Sequence, residues 1–226
     1  MNTTSEEKII QNTIAFVKDE LKNAEGGHDW FHIERVYKNS LLISEGEKVD
    51  KTVVALGALL HDIADSKFHD GDETIGPKKA REFLKTQNVF LHGGRASEII
   101  QHVVKIIENI SFSGGNKTQK FSSKELDVVQ DADRLDAIGA IGIARTFNYG
   151  GFKGRKLYDP EITPNLEMSP SEYKASNDPT INHFYEKLLL LKDRMNTETG
   201  RKIAEERHVF METFLEQFYA EWNGEK

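Results

Sequence analysis

Cysteine is absent from the 226 residues. This excludes disulfides, thiolate metal sites and cysteine nucleophiles, and leaves His, Asp and Glu to hold any cation. Nor is there an apolar run of membrane-spanning length, so no membrane partner is expected. The opening "MNTTSEEKIIQNTIAF" lacks a basic stretch followed by an apolar core and a cleavage site, and the expected location is the cytoplasm. Positive charge is not in surplus either. The formal net charge is −7, which argues against a nucleic-acid polymer as partner and favours a small molecule, with room for a local basic pocket. No P-loop, dinucleotide fingerprint, G-x-S-x-G elbow or H-E-x-x-H pair occurs. "DGDETIG" starts like a calcium loop at Asp70 and Asp72, but its sixth residue is Ile75 where glycine is required, and it reads as a turn leading into a helix.

What is present reads as helix almost throughout, with no strand alternation, internal repeat or low-complexity tract. The length suits one domain with a real core, and we take residues 1–226 as a single all-α domain. Thr4 and Glu7 have capping-box spacing ahead of Ile10, Ile14, Val17 and Leu21. Further helices are expected from Asp29 to about Glu45 and from Lys51 to about Asp65. Another should begin near Pro77, which suits a first turn. "RASEIIQHVVKIIENI" carries a broad apolar face and should be a buried central helix. One long helix is expected through "SSKELDVVQDADRLDAIGAIGIARTF", with Ser122 and Glu125 as its capping box. The segment from about 149 to 179 is rich in Gly, Pro, Asn and Ser and reads as a lid or excursion. Helices from about 180 to 222 follow. The last of them carries Ile203, Phe210, Phe214, Phe218 and Trp222 as a core stripe.

The chemistry candidates sit on three helices. In "GALLHDIADSKFHD", helical spacing aligns Ala58, His61, Asp62 and Asp65, so an apolar stripe runs straight into ionisable groups. His32 shares a face with Val36 and Ser40 at the edge of an apolar stripe. In "QDADRLDAIGA", Asp133 and Asp136 lie one turn apart, whereas Asp131 is about 200° from Asp133, so only one residue of "DAD" can face a shared site. Each residue alone is explained as well by a satisfied interior histidine or a surface ion pair. His102, in the most apolar helix, needs no more than a hydrogen bond between helices. Together, His32, His61, Asp62 and Asp133 exceed that explanation.

The order H…HD…D on an all-helical chain resembles the HD-domain metal-dependent phosphohydrolases. The resemblance covers roughly residues 25–150 and is carried by "GHDWFHIERV", "ALLHDIADSK" and "DADRLDAIGAIGIARTF". The last of these is similar to small bacterial HD hydrolases that include nucleotide pyrophosphohydrolases. The resemblance implies an HD helical bundle with an extra helical C-terminal portion. It also implies His32, His61, Asp62 and Asp133 as metal ligands, Asp133 being chosen over Asp131 by its D-A-D-R-L setting. Two imidazoles and two carboxylates suit Mn, Fe, Co, Zn or Mg, leave positions for water and substrate, and make phosphoester or phosphoanhydride hydrolysis natural.

Asp65, one turn beyond His61, is then expected to orient or deprotonate the attacking water; the plainer alternative is a surface pair with Lys67. Arg145, Lys153 and Arg155 are the candidate substrate contacts. The expected function is metal-dependent hydrolysis of a small phosphorylated substrate, a nucleotide above all, by a monomer or homodimer. The alternatives are a sensor of the same fold that binds nucleotide or metal without turnover, and a helical interaction module.

Overall fold

The computed structural model describes residues 4–22, 29–64, 72, 74–87, 94–110, 121–169, 172 and 175–226. Among them there are nine α-helices and no strand, so the fold is all-α. The chain divides into two compact units, Met1–Ala132 and Asp133–Lys226. Among the described residues, no helix is long and apolar enough to cross a membrane.

The first unit is built around α3 (Lys51–Leu60). Every residue from Val53 to Leu60 is buried, so this helix presents no polar face at all. It packs against α1 (Ser5–Glu20), α2 (Trp30–Ser44) and α5 (Ala96–Asn109), while α4 (Ile75–Thr86) packs on α5. The large aliphatic side chains of α3, Val53, Val54, Leu56, Leu59 and Leu60, each contribute about 1.5–3 kcal/mol on burial. Helix α5 is the expected amphipathic central helix, with Ile99, Ile100, Val103, Val104, Ile106 and Ile107 inside.

The helix ends follow local chemistry. The Thr4–Glu7 capping box forms in both directions. Asp72 accepts from the amide and hydroxyl of Thr74, at 2.8 and 2.6 Å, just before α4, as expected of a turn that leads into a helix. At α6 (Lys124–Asp136) the cap is Ser123 rather than Ser122: its hydroxyl accepts from the Leu126 amide at 3.1 Å. Glu125 is thereby released for another task, accepting from the Asp50 amide at the start of α3. His102 contacts the Ser123 hydroxyl at 2.9 Å, the inter-helix hydrogen bond that its setting calls for.

Two expectations about helix length are corrected. Helix α3 stops at Leu60, with His61 and Asp62 in the turn beyond, rather than running to Asp65. The long helix expected after Ser122 is two, α6 and α7 (Gly139–Phe152). Ile138 between them is extended and Gly139 takes φ +73°, a conformation that suits glycine. Gly142 then seats against the Ala137 carbonyl, where a Cβ would stand 2.2 Å from the oxygen. The apolar pattern continues through the break, which is why the pattern alone does not reveal it.

In the second unit, α7 packs against α9 (Glu198–Trp222), with the short α8 (Asn182–Glu186) and 3₁₀ turns at Leu188–Leu190 and Lys192–Arg194 before it. The excursion after α7 is closed at its base, where the amides of Thr180 and Ile181 donate to the carbonyls of Lys156 and Leu157. The aromatic stripe of α9 is only partly core: Phe214 and Phe218 are half-buried among Phe147, Phe184 and Tyr158, but Phe210 and Trp222 are exposed. The residues of α9 that go inside are Gly200, Ala204, His208, Met211 and Leu215, one face away from Phe210.

Candidate metal centre

His32 is placed by the start of α2. Asp29 caps that helix and accepts from the His32 backbone amide at 3.0 Å, so the first turn, which carries His32, is set. The ring is 3% exposed. His61 is placed by the end of α3, where it is 8% exposed and its Nδ1 lies 2.8 Å from the Ala58 carbonyl. A carbonyl oxygen only accepts, so Nδ1 carries the proton in this contact and Nε2 keeps its lone pair for a ligand. The two rings meet edge to face, with centroids 5.4 Å apart.

Asp133 lies on α6, a continuous helix whose first nine residues belong to the first unit, and it is the residue at which the division falls. Ligand atoms of His32, His61 and Asp133 all lie within 4.8 Å of one another. An ion about 2.0–2.2 Å from each ligand spreads its donors roughly 3–4 Å apart, so this group needs only a small side-chain adjustment to close on a cation. Two imidazole nitrogens and a carboxylate oxygen in a largely buried setting fit a divalent ion of the first transition row, and the group can hold one.

The remaining candidates are placed as follows. Asp62 follows His61 in the turn, half-buried and outside the 4.8 Å group. Asp65 lies outside the described residues. Asp131 is completely buried, whereas Asp133 is half-buried, in keeping with the opposed directions of the two residues on a helix. Arg145 forms an ion pair with Asp136, whose side chain is 1% exposed. Lys153 lies over the rings of Tyr149 and Phe152, and Arg155 lies over Tyr149 while donating to the Ser176 carbonyl at 2.7 Å. Each of these three cations thus has a partner within its own unit.

Sequence reasoning missed the groups that orient the ligands. Asp29 has a signal, since an aspartate three residues before His32 is N-cap spacing. The Ala58 carbonyl has none, because a backbone acceptor is present at every position.

The HD domain family matches residues 30–138. The chain is 40% identical over 211 residues to the Bacillus subtilis (strain 168) protein YpgQ, covering 93% of this chain and 92% of that one. Among solved structures, an HD-superfamily hydrolase from Bacillus thuringiensis superposes with TM-score 0.75 at 45% identity, covering 96% of this chain and 98% of that one. The crystal structure of B. subtilis YpgQ in complex with ADP superposes with TM-score 0.72 at 35% identity in the structural alignment, covering 96% and 97%. With His32, His61 and Asp133 grouped as the H…HD…D order puts them, the chain belongs to the HD-domain family and is a metal-dependent phosphohydrolase.

Proposed function

We propose that the protein hydrolyses a phosphomonoester or phosphoanhydride bond of a nucleotide at a divalent ion held by His32, His61, Asp62 and Asp133. The reading rests on one observation above the rest, the convergence of His32, His61 and Asp133 with the His61 ring turned to offer Nε2. A bound divalent ion supplies a more acidic water and neutralises charge gathering on a phosphoryl oxygen. The chain's own residues do the rest. Asp29 fixes the first turn of α2, which carries His32, and the Ala58 carbonyl fixes the His61 ring before any ligand arrives, so little reorganisation is needed on binding. Asp62, next to His61 in the turn, would be the fourth ligand. Asp65 accepts the proton from the attacking water. Arg145, Lys153 and Arg155 supply the cations that meet the phosphate groups, Arg145 being oriented by its pair with Asp136. That a relative binds ADP supports a nucleotide as the substrate class.

The test is a panel of nucleoside mono-, di- and triphosphates and simple phosphomonoesters, offered to Mn²⁺-loaded protein with phosphate and pyrophosphate measured separately. Metal-dependent turnover of nucleotides is expected, and the product identifies the bond. Binding of nucleotide without release of either product would favour the sensor reading. Asp65→Asn is expected to keep its Mn²⁺ and lose about 10²–10⁴ in kcat, the usual worth of general-base assistance; loss of the metal instead would make Asp65 a ligand.

A further inference from the structure

Helix α6 ends one turn after Asp133, and the carbonyls of a last helical turn have no partners within the helix. Here the amides of Ala137 and Ile138 donate to the Arg134 and Leu135 carbonyls at 3.1 and 3.3 Å, and side chains add to them. Arg207, from the middle of α9, donates Nη1 to the Leu135 carbonyl at 2.5 Å. Arg145, from α7, donates to the Asp136 carbonyl at 3.3 Å and pairs with the Asp136 carboxylate. Burial pushes the Arg207 pKa down, and the Asp136 carboxylate opposes that shift. Two guanidinium groups therefore converge on a helix C-terminus, where the backbone dipole favours positive charge.

A second contact fixes where Arg207 enters. Its stem lies on Gly139, where a Cβ would stand 3.0, 3.1 and 3.2 Å from Cγ, Cβ and Cδ of the arginine. With glycine at that position the stem can come this close. Arg207 is thus held at its stem by the first residue of α7 and at its head by the last turn of α6, the turn that leads out from Asp133.

Resting on the reading of Asp133 as a metal ligand, we propose that Arg207 is a positioning residue for the metal centre. Its hydrogen bond to the Leu135 carbonyl and the seat of its stem on Gly139 hold the end of α6 so that the Asp133 carboxylate is presented at a fixed angle. On this account the C-terminal helix, which lies beyond the span matched to the HD family, takes part in the site without touching substrate.

The test measures Mn²⁺ affinity by titration and the visible spectrum of the Co²⁺-substituted protein. Arg207→Met keeps the stem and removes the donors and the charge. It is expected to weaken Mn²⁺ binding about 10–100-fold, as loss of groups that orient metal ligands does, and to shift the Co²⁺ bands. Arg207→Lys, which restores a charge and a donor, should recover most of the affinity. Met211→Ala, a fully buried residue one turn further along α9, is the control for general weakening of the helix, and should lower the melting temperature without moving affinity or spectrum. Wild-type affinity and spectrum in Arg207→Met, or equal weakening in Met211→Ala, would overturn the proposal while Asp133→Ala still lost the metal. Retention of Mn²⁺ by Asp133→Ala would overturn the ligand reading and this inference with it.

Discussion

Eight consecutive residues of α3, Val53 to Leu60, are buried, whereas the 25 residues of α9 put inside only Gly200, Ala204, His208, Met211 and Leu215. The two helices also order their functional groups differently. His61 is held at the end of a helix with apolar neighbours on all sides, so close packing leaves its backbone little choice of position. Arg207 is held by a hydrogen bond at its head and a glycine contact at its stem, on a helix that is mostly solvated. Dense packing fixes a side chain through the fold itself. A long amphipathic helix does so through a few named polar contacts, each of which one substitution can remove.

The largest effect expected comes from deleting a proposed metal ligand, His61 at the end of α3 or Asp133 on the helix that Arg207 braces in the proposal above. His61→Ala and Asp133→Ala should each reduce bound Mn²⁺ to trace stoichiometry by elemental analysis and turnover to assay background, with the helical circular dichroism kept. Asp131→Ala should behave otherwise. Asp131 is completely buried and has partners of its own, so its removal should cost about 1–3 kcal/mol of stability through the groups left unsatisfied, with the metal retained. Metal loss in Asp131→Ala at unchanged stability would mean that the wrong aspartate of "DAD" has been chosen.

An intermediate effect tests the packing side alone. Leu59→Ala in α3 removes a fully buried side chain and should cost about 2–5 kcal/mol. Phe210→Ala in α9 removes a larger side chain that is 52% exposed, and should stay within about 0.5 kcal/mol of wild type. Urea unfolding of the two variants checks both values. Comparable losses would show that α9 is covered in solution, by a second copy or another partner, and would break the comparison.

The same contrast explains what was legible in the sequence. Helix α5 and the Thr4–Glu7 cap follow from apolar spacing and local hydrogen-bond chemistry, both of which act within a few residues. His32, His61 and Asp133 are legible because costly groups on apolar helices need a common reason, and the structure brings those three together. The end of α3 at Leu60 is not, since the stripe that continues through His61 to Asp65 is compatible with helix and turn alike. The break at Ile138 is hidden for a related reason: glycine at 139 permits a positive φ without demanding it. The exposure of Phe210 and the tasks of Arg145 and Arg207 depend on which helix packs where. Such contacts join residues up to 72 positions apart, beyond any periodicity.

A smaller effect than the loss of a buried α3 side chain concerns pH and the second unit. His183, on α8, has its pKa pushed down to about 4, first by burial and then by the positive charges of Lys187 and Arg155. In the unfolded chain the same imidazole titrates near 6.5. Between those values the unfolded state binds the proton and the folded state does not, so acid favours unfolding. The contribution of neutral His183 is therefore complete above about pH 6.5 and is lost as pH falls from there towards 4. At pH 5.5 the loss is about 1 kcal/mol, well below the cost of Leu59→Ala. His183→Gln cannot titrate, so the difference in unfolding free energy between variant and wild type should shift by about that amount in the variant's favour between pH 7.5 and 5.5. A difference independent of pH would mean that His183 takes up its proton as readily in the folded protein as in the unfolded chain, and would remove burial as a penalty on its charge.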